Sequence, residues 1–70
     1  MNTEEIGIII HNRRRKLRMK QQTLAELTGV SPKTIYMIER GRGNPSLDYL
    51  QNICITLGLE ISVQVKKVEE

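Results

Sequence analysis

The sequence predicts a mainly α-helical domain: four short helices over residues 1–58, then one β-strand and a tail over 59–70. Three observations carry this prediction. Apolar residues recur at three- and four-residue spacing through four segments. Gly29, Gly41 and Gly58 stand where three of those segments end, and glycine tolerates the left-handed backbone that stops a helix. After Gly58 the apolar period falls to two, the period of a half-buried strand.

The first helix is expected over about Glu4–Arg18. Thr3 is its candidate N-cap, Glu4 and Glu5 suit the positive end of the helix dipole, and Ile6, Ile10 and Leu17 recur on one face. The second spans Gln21–Thr28, carries Leu24 and Ala25, and stops at Gly29. Ser31 then caps a third helix with Pro32 at the first helical position, where its missing N–H costs nothing. It runs to about Arg40, with Ile35 and Ile38 inward, and Gly41 ends it before an Arg-Gly-Asn-Pro loop. Ser46 caps the fourth helix, whose inward face is Leu47, Leu50, Ile53 or Cys54, and Leu57.

Leu59, Ile61, Val63 and Val65 then alternate with Glu60, Ser62, Gln64 and Lys66. A strand needs a hydrogen-bonded neighbour, and no other segment reads as one. The expected partner is the same strand of a second copy, paired antiparallel about a two-fold axis, so that these four apolar residues form a dimerisation strand. The competing reading is a frayed tail.

Length and composition narrow the function classes. A chain of 70 residues buries only about 60% of its unfolded surface, so outside support is expected. One cysteine makes no internal disulfide, and one His with one Cys makes no four-ligand zinc site. A partner chain is what remains. No stretch approaches the roughly 20 apolar residues of a membrane span, and MNTEEIG lacks a basic signal-peptide region, so a cytoplasmic, nucleoid-associated protein is expected.

Net charge is +3, but between His11 and Ser46 nine Lys or Arg face only Glu26 and Glu39, and nine minus two leaves +7 there. Such a field suits a polyanion, and equally a solvated helix face. Catalysis is not expected: no nucleophile neighbours a base, Cys54 falls on an inward helix face, and His11 is a lone imidazole among arginines. GRGNP lacks the lysine and helix context of a nucleotide loop, and no cofactor is implied. Tyr36 and Tyr49 are the only aromatics, too few for RNA stacking.

The stretch QQTLAELTGVSPKTIYMIERG combines two short helices, a turn glycine, a serine cap and a terminal Glu-x-Gly. Leu24, Ala25, Val30, Ile35 and Ile38 would pin the two helices together and leave the outer side of the second free to enter a major groove. On these residues the chain resembles the lambda-repressor-like, Xre-type helix-turn-helix regulators, over about Ile6–Leu57. The resemblance implies a repressor that binds double-stranded operator DNA.

Carried over position by position, the resemblance implies that Gln21 touches the DNA backbone and that Ser31, Pro32, Lys33, Thr34 and Met37 face bases or phosphates. Arg14 and Glu39 match an internal ion pair tying the first helix to the third, so Arg14 serves the fold. Arg40, Arg42 and Asn44 fall where such proteins grip phosphate. Lys20 replaces the usual polar cap and, with Gln22, adds a donor near the backbone. Pro32 replaces a long polar reader, which shifts base readout toward Lys33, Thr34, Tyr36 and Met37. Tyr36 can stack, donate to phosphate, or cover the third helix.

The strand ending resembles the branch of antitoxins paired with HipA-type kinase toxins, similar to HipB, and implies an autorepressing antitoxin with a kinase-like partner. The alternatives are a stand-alone phage-type or metabolic repressor and, in another class, a protein-interaction module without DNA binding. Ile8, Ile9 and Ile55 lie off the inward stripes and mark either a second interface, for dimer or toxin, or ordinary scattered surface residues.

Overall fold

Among the described residues every helix starts on a residue whose backbone is extended, and three of the four starts are closed by a side-chain hydrogen bond. The structure, a computed structural model, describes residues 2–67. Its elements are α1 (Thr3–Lys16), α2 (Gln21–Thr28), α3 (Pro32–Glu39) and α4 (Leu47–Leu57).

The cap of α1 is Asn2 rather than Thr3: its side chain accepts from the Glu5 N–H at 2.9 Å. The helix also ends two residues before Arg18. Arg18 takes the left-handed backbone (φ 55°), and the Met19 N–H bonds back to the Arg14 carbonyl, so the chain turns toward α2. Leu17, expected inward, sits past the last helical turn and is 42% exposed. The buried stripe is instead Gly7, Ile10 and Arg14, at the three- and four-residue steps of one helix face.

Lys20 precedes α2 without a side-chain cap bond, and Gly29 ends it at φ 73°. Ser31 Oγ accepts from the Thr34 N–H at 3.1 Å, with Pro32 opening α3. The helix stops at Glu39, one residue short of Arg40, whose N–H is shared between the Tyr36 and Met37 carbonyls. Ser46 caps α4 through the Tyr49 N–H at 3.1 Å.

The core is Ile10, Leu24, Ala25, Val30, Ile35, Ile38, Ile53 and Leu57, with Ile6, Met19, Leu50 and Leu59 at its margin. Helices α1 and α2 each pack on both α3 and α4. Both Ile53 and Cys54 are buried, whereas Leu47, expected inward, is 62% exposed at the first position of α4. At Gly7, α1 lies close against the backbone at the end of α3. A Cβ there would lie 2.5 Å from the Ile38 carbonyl oxygen and 2.9 Å from that of Glu39.

The expected β-strand Leu59–Val65 is not formed. Residues 59–67 carry neither helix nor ladder, and no strand occurs among the described residues. The physical reason is the one that required a second copy: a strand exists only with a hydrogen-bonded neighbour, and this chain alone offers none. The last residues of the expected tail, 68–70, lie outside the described ones. Among those described, no helix is long and apolar enough to cross a membrane.

Candidate nucleic-acid interface

Two helices joined by a turn present one exposed surface because their inner sides are fully used. Leu24 and Ala25 of α2, Val30 of the turn, and Ile35 and Ile38 of α3 are all buried. At about 3.6 residues per turn, Lys33, Tyr36, Met37 and Arg40 then fall together on the outward side of α3. Lys33, Tyr36 and Arg40 are exposed, and Met37 is half-buried.

This outward side borders two hollows. On one flank Lys33, Thr34 and Met37 meet the α3–α4 loop, with Arg42, Asn44 and Tyr49, around a groove of about 530 Å³. The loop is held in place by the Arg42 N–H, which donates to the Met37 carbonyl at 2.9 Å. On the other flank Tyr36 and Arg40 meet Gln21, His11 and Ile8 around a hollow of about 240 Å³. The Arg40 guanidinium lies 5.4 Å from the centroid of the Tyr36 ring, within range of a cation–π attraction.

The remaining expected contacts cluster at helix starts. Lys20, exposed, precedes three residues of α2 whose N–H groups receive no side-chain cap, so the positive end of that helix dipole faces outward beside a lysine. Gln22 is exposed and donates to Glu26 at 3.3 Å. Ser31 and Pro32 are exposed at the start of α3, but the Ser31 hydroxyl is engaged by Thr34, at 3.1 Å to its N–H and 2.8 Å to its hydroxyl.

Behind this surface, Glu39 gathers three side chains. Arg14 donates through Nε to Oε2 at 2.7 Å and through Nη2 to Oε1 at 2.9 Å, while its Nη1 reaches the Met19 carbonyl at 2.6 Å. His11 Nδ1 lies 2.7 Å from Oε1, and Gln21 Nε2 donates to it at 3.2 Å. Arg14 and Glu39 are the two buried charged residues among those described. Burial pushes the Glu39 carboxyl up, but hydrogen bonds from Arg14, His11 and Gln21 outweigh it and hold its pKa below the usual value. The hydrogen bond to Glu39 raises that of Arg14.

Two arginines of the basic run are therefore engaged by the fold. Arg14 serves Glu39, and Arg13 Nε donates to the Leu57 carbonyl at the end of α4 at 2.7 Å. Arg15, Lys16, Arg18 and Lys20 stay exposed. Gln21, expected at the DNA backbone, is half-buried with its amide turned inward to Glu39.

A helix-turn-helix model matches residues 10–64, which takes in α2, α3, the loop after it and the Arg14–Glu39 pair. The chain belongs to the helix-turn-helix family. An uncharacterised HTH-type transcriptional regulator of Methanothermobacter thermautotrophicus is 40% identical over 52 residues, covering 74% of this chain and 75% of that protein. The ImmF control region 10 kDa protein of Bacillus phage phi105 is 30% identical over 74 residues, covering 100% of this chain and 82% of that protein. The solved structure of the clp gene regulator ClgR from C. glutamicum superposes with a TM-score of 0.78 at 30% identity, covering 84% of this chain and 76% of that one. Family membership places this helix-turn-helix protein among the DNA-binding transcriptional regulators.

Sequence reasoning missed several parts of the helix-turn-helix unit. Tyr49, in the first turn of α4, lines the groove beside Lys33 and Asn44, and its only sequence signal was an aromatic close to a helix start. His11 and Gln21 reach Glu39 from elements far apart in the chain, so no spacing announces them. Gly7 did carry a signal: a glycine inside a helix costs about 1 kcal/mol against alanine, so it needs a packing reason. Among the described residues no cluster of His, Cys, Asp or Glu is arranged to hold a metal ion.

Proposed function

We propose that this protein acts as a homodimeric repressor, each copy inserting α3 into the major groove of one half of an inverted-repeat operator. The observation that carries this reading is the continuous groove of Lys33, Thr34, Met37, Arg42 and Asn44, with no acidic side chain among its lining residues. An α-helix is about 10–12 Å across and the major groove about 12 Å wide, so the outward side of α3 fits it.

In this reading Lys33 donates to guanine O6 or N7, and Met37 packs on a thymine methyl. Arg40, Arg42, Asn44, Lys20 and Gln22 grip phosphates, setting register and affinity rather than sequence choice. Ser31 and Pro32 approach the backbone at the start of α3, and Tyr36 lies under Arg40 to steady its guanidinium. Gln21 acts from behind, its amide committed to Glu39. Because α3 carries few long polar readers, half-site spacing and DNA shape supply much of the specificity.

Between the two regulatory roles, the stand-alone repressor has the broader support, since the phage control-region relative aligns with the whole of this chain. The antitoxin of a HipA-like kinase toxin is the second reading. It is favoured by apolar surface away from the groove, where Ile8, Ile9 and Ile55 are all exposed. Affinity purification of the chain expressed beside its neighbouring genes separates them, a bound kinase-like protein favouring the antitoxin.

Footprinting on selected binding sites tests the proposal. The expected protection is two half-sites about 34–36 Å apart, on successive turns of one face of the duplex. Protection of a single unrepeated half-site would show the dimeric mechanism to be wrong.

A further inference from the structure

The segment after α4 exposes apolar side chains more fully than any helix does. Val63 and Val65 are 95% and 98% exposed. Leu59, by contrast, is anchored: its N–H donates to the Cys54 carbonyl at 2.7 Å, and its side chain packs against the core. The unengaged stretch therefore begins at Glu60. From there to Lys66 it reads acid, three apolar residues at alternate positions, then base.

Resting on the homodimer proposed above, we infer that two copies pair antiparallel over Glu60–Lys66 in a register centred on Val63. Residues directly opposite in an antiparallel pair share a face of the ribbon. A register centred between two residues would set each apolar side chain opposite a polar one, so the two-fold must pass through a residue. Centred on Val63, Ile61 of one copy lies opposite Val65 of the other, Ser62 opposite Gln64, and Glu60 opposite Lys66, with each pairing made twice.

Neighbouring registers lose this match. Centring on Ser62 sets Lys66 opposite Gly58, which is tied up as the left-handed end of α4, and pairs Val65 with the already engaged Leu59. Centring on Gln64 sets Ile61 opposite Lys67. Parallel in-register pairing faces Glu60 with Glu60 and Lys66 with Lys66, which is repulsive. Charge complementarity thus selects one arrangement.

The fold leaves room for that ribbon. Ile61 lines an apolar hollow of about 230 Å³ with Ile6, Ile9, Leu47, Leu50 and Leu59. In an extended strand Val63 and Val65 lie on the same side as Ile61. The apolar side of the paired strands therefore faces this hollow in both copies, covering the exposed Ile9 and Leu47.

Single-cysteine variants of the full chain test the register. Opposed Cα atoms in an antiparallel pair are about 4.5–5.5 Å apart, within the span of a disulfide, whereas residues offset by two positions are about 7–8 Å apart and outside it. Val63→Cys is expected to form a covalent dimer on oxidation. Ser62→Cys and Gln64→Cys are expected not to do so singly, but to cross-link when mixed.

Native Cys54 remains in place, because it is buried and burial pushes its thiol pKa up, so the parent chain is the uncross-linked control. In a second arm, Glu60→Lys weakens the dimer, and adding Lys66→Glu restores it, as read by mass in solution. A dimer that cross-links through Ser62→Cys or Gln64→Cys alone overturns the register and leaves the dimer standing. A parent chain of monomeric mass at micromolar concentration overturns both.

Discussion

Replacing Glu39 with alanine removes the acceptor on which Arg14, His11 and Gln21 converge, and leaves the Arg14 guanidinium buried without its counter-charge. Breaking a buried pair in this way costs about 3–5 kcal/mol. The whole domain, 70 residues long, has only about 4–10 kcal/mol of stability at typical values per residue. Glu39→Ala should therefore remove close to half of it. At about 4–8 °C per kcal/mol for a domain of this size, the melting midpoint should fall by about 12 °C or more.

Thermal unfolding followed by circular dichroism measures this shift directly. The double variant Arg14→Met, Glu39→Leu should lose less than the two single changes summed, because no charge is left stranded. A Glu39→Ala midpoint within about 2 °C of the parent, against the 4–8 °C expected per kcal/mol, would refute the reasoning. The pH dependence carries the same information. The folded-state pKa of Glu39 lies below its unfolded value, so its stabilisation is complete above the ordinary carboxylate value of about 4.3. It is lost as the pH falls through the depressed folded-state value. Glu39→Gln should be less stable than the parent at neutral pH and should flatten this acid limb.

Gly7→Ala should destabilise the domain by up to about 2 kcal/mol in a denaturant titration, because overpacking against a carbonyl oxygen, typically about 1–3 kcal/mol, is only partly offset by the helix-propensity gain of about 1 kcal/mol. A more stable Gly7→Ala would mean that α1 moves away from α3 without penalty. Lys33→Ala should lower discrimination among half-site sequences by roughly 1–3 kcal/mol at one base position, whereas Arg42→Ala should weaken all duplexes alike and reduce the salt slope of binding by about one, both read by fluorescence anisotropy across a salt series. Tyr49→Phe keeps the packing of α4, and a loss of affinity on that change alone would assign its hydroxyl to the groove contact. Ser31→Ala should cost about 1 kcal/mol of stability through the lost α3 cap, measured by thermal unfolding.

Four helices were legible in the sequence because their signals are local. The helix boundaries at Gly29, Ser31, Ser46 and Gly58 follow from caps and left-handed stops that depend only on adjacent residues. The core residues Leu24, Ile35, Ile53 and Leu57 follow from period alone. The groove-facing side of α3 follows from knowing which residues of that helix turn inward.

Tertiary packing decided the rest. Helix α1 buries Gly7, Ile10 and Arg14, the glycine letting it approach the Ile38 and Glu39 carbonyls closely, while Leu17 falls past its last helical turn. The Gln21 amide bonds Glu39, and His11 joins them across 28 positions of chain, a distance that no periodicity encodes. The alternation after Gly58 is written in the sequence, yet the chain by itself forms no strand there, since pairing is a property of two backbones and not of one.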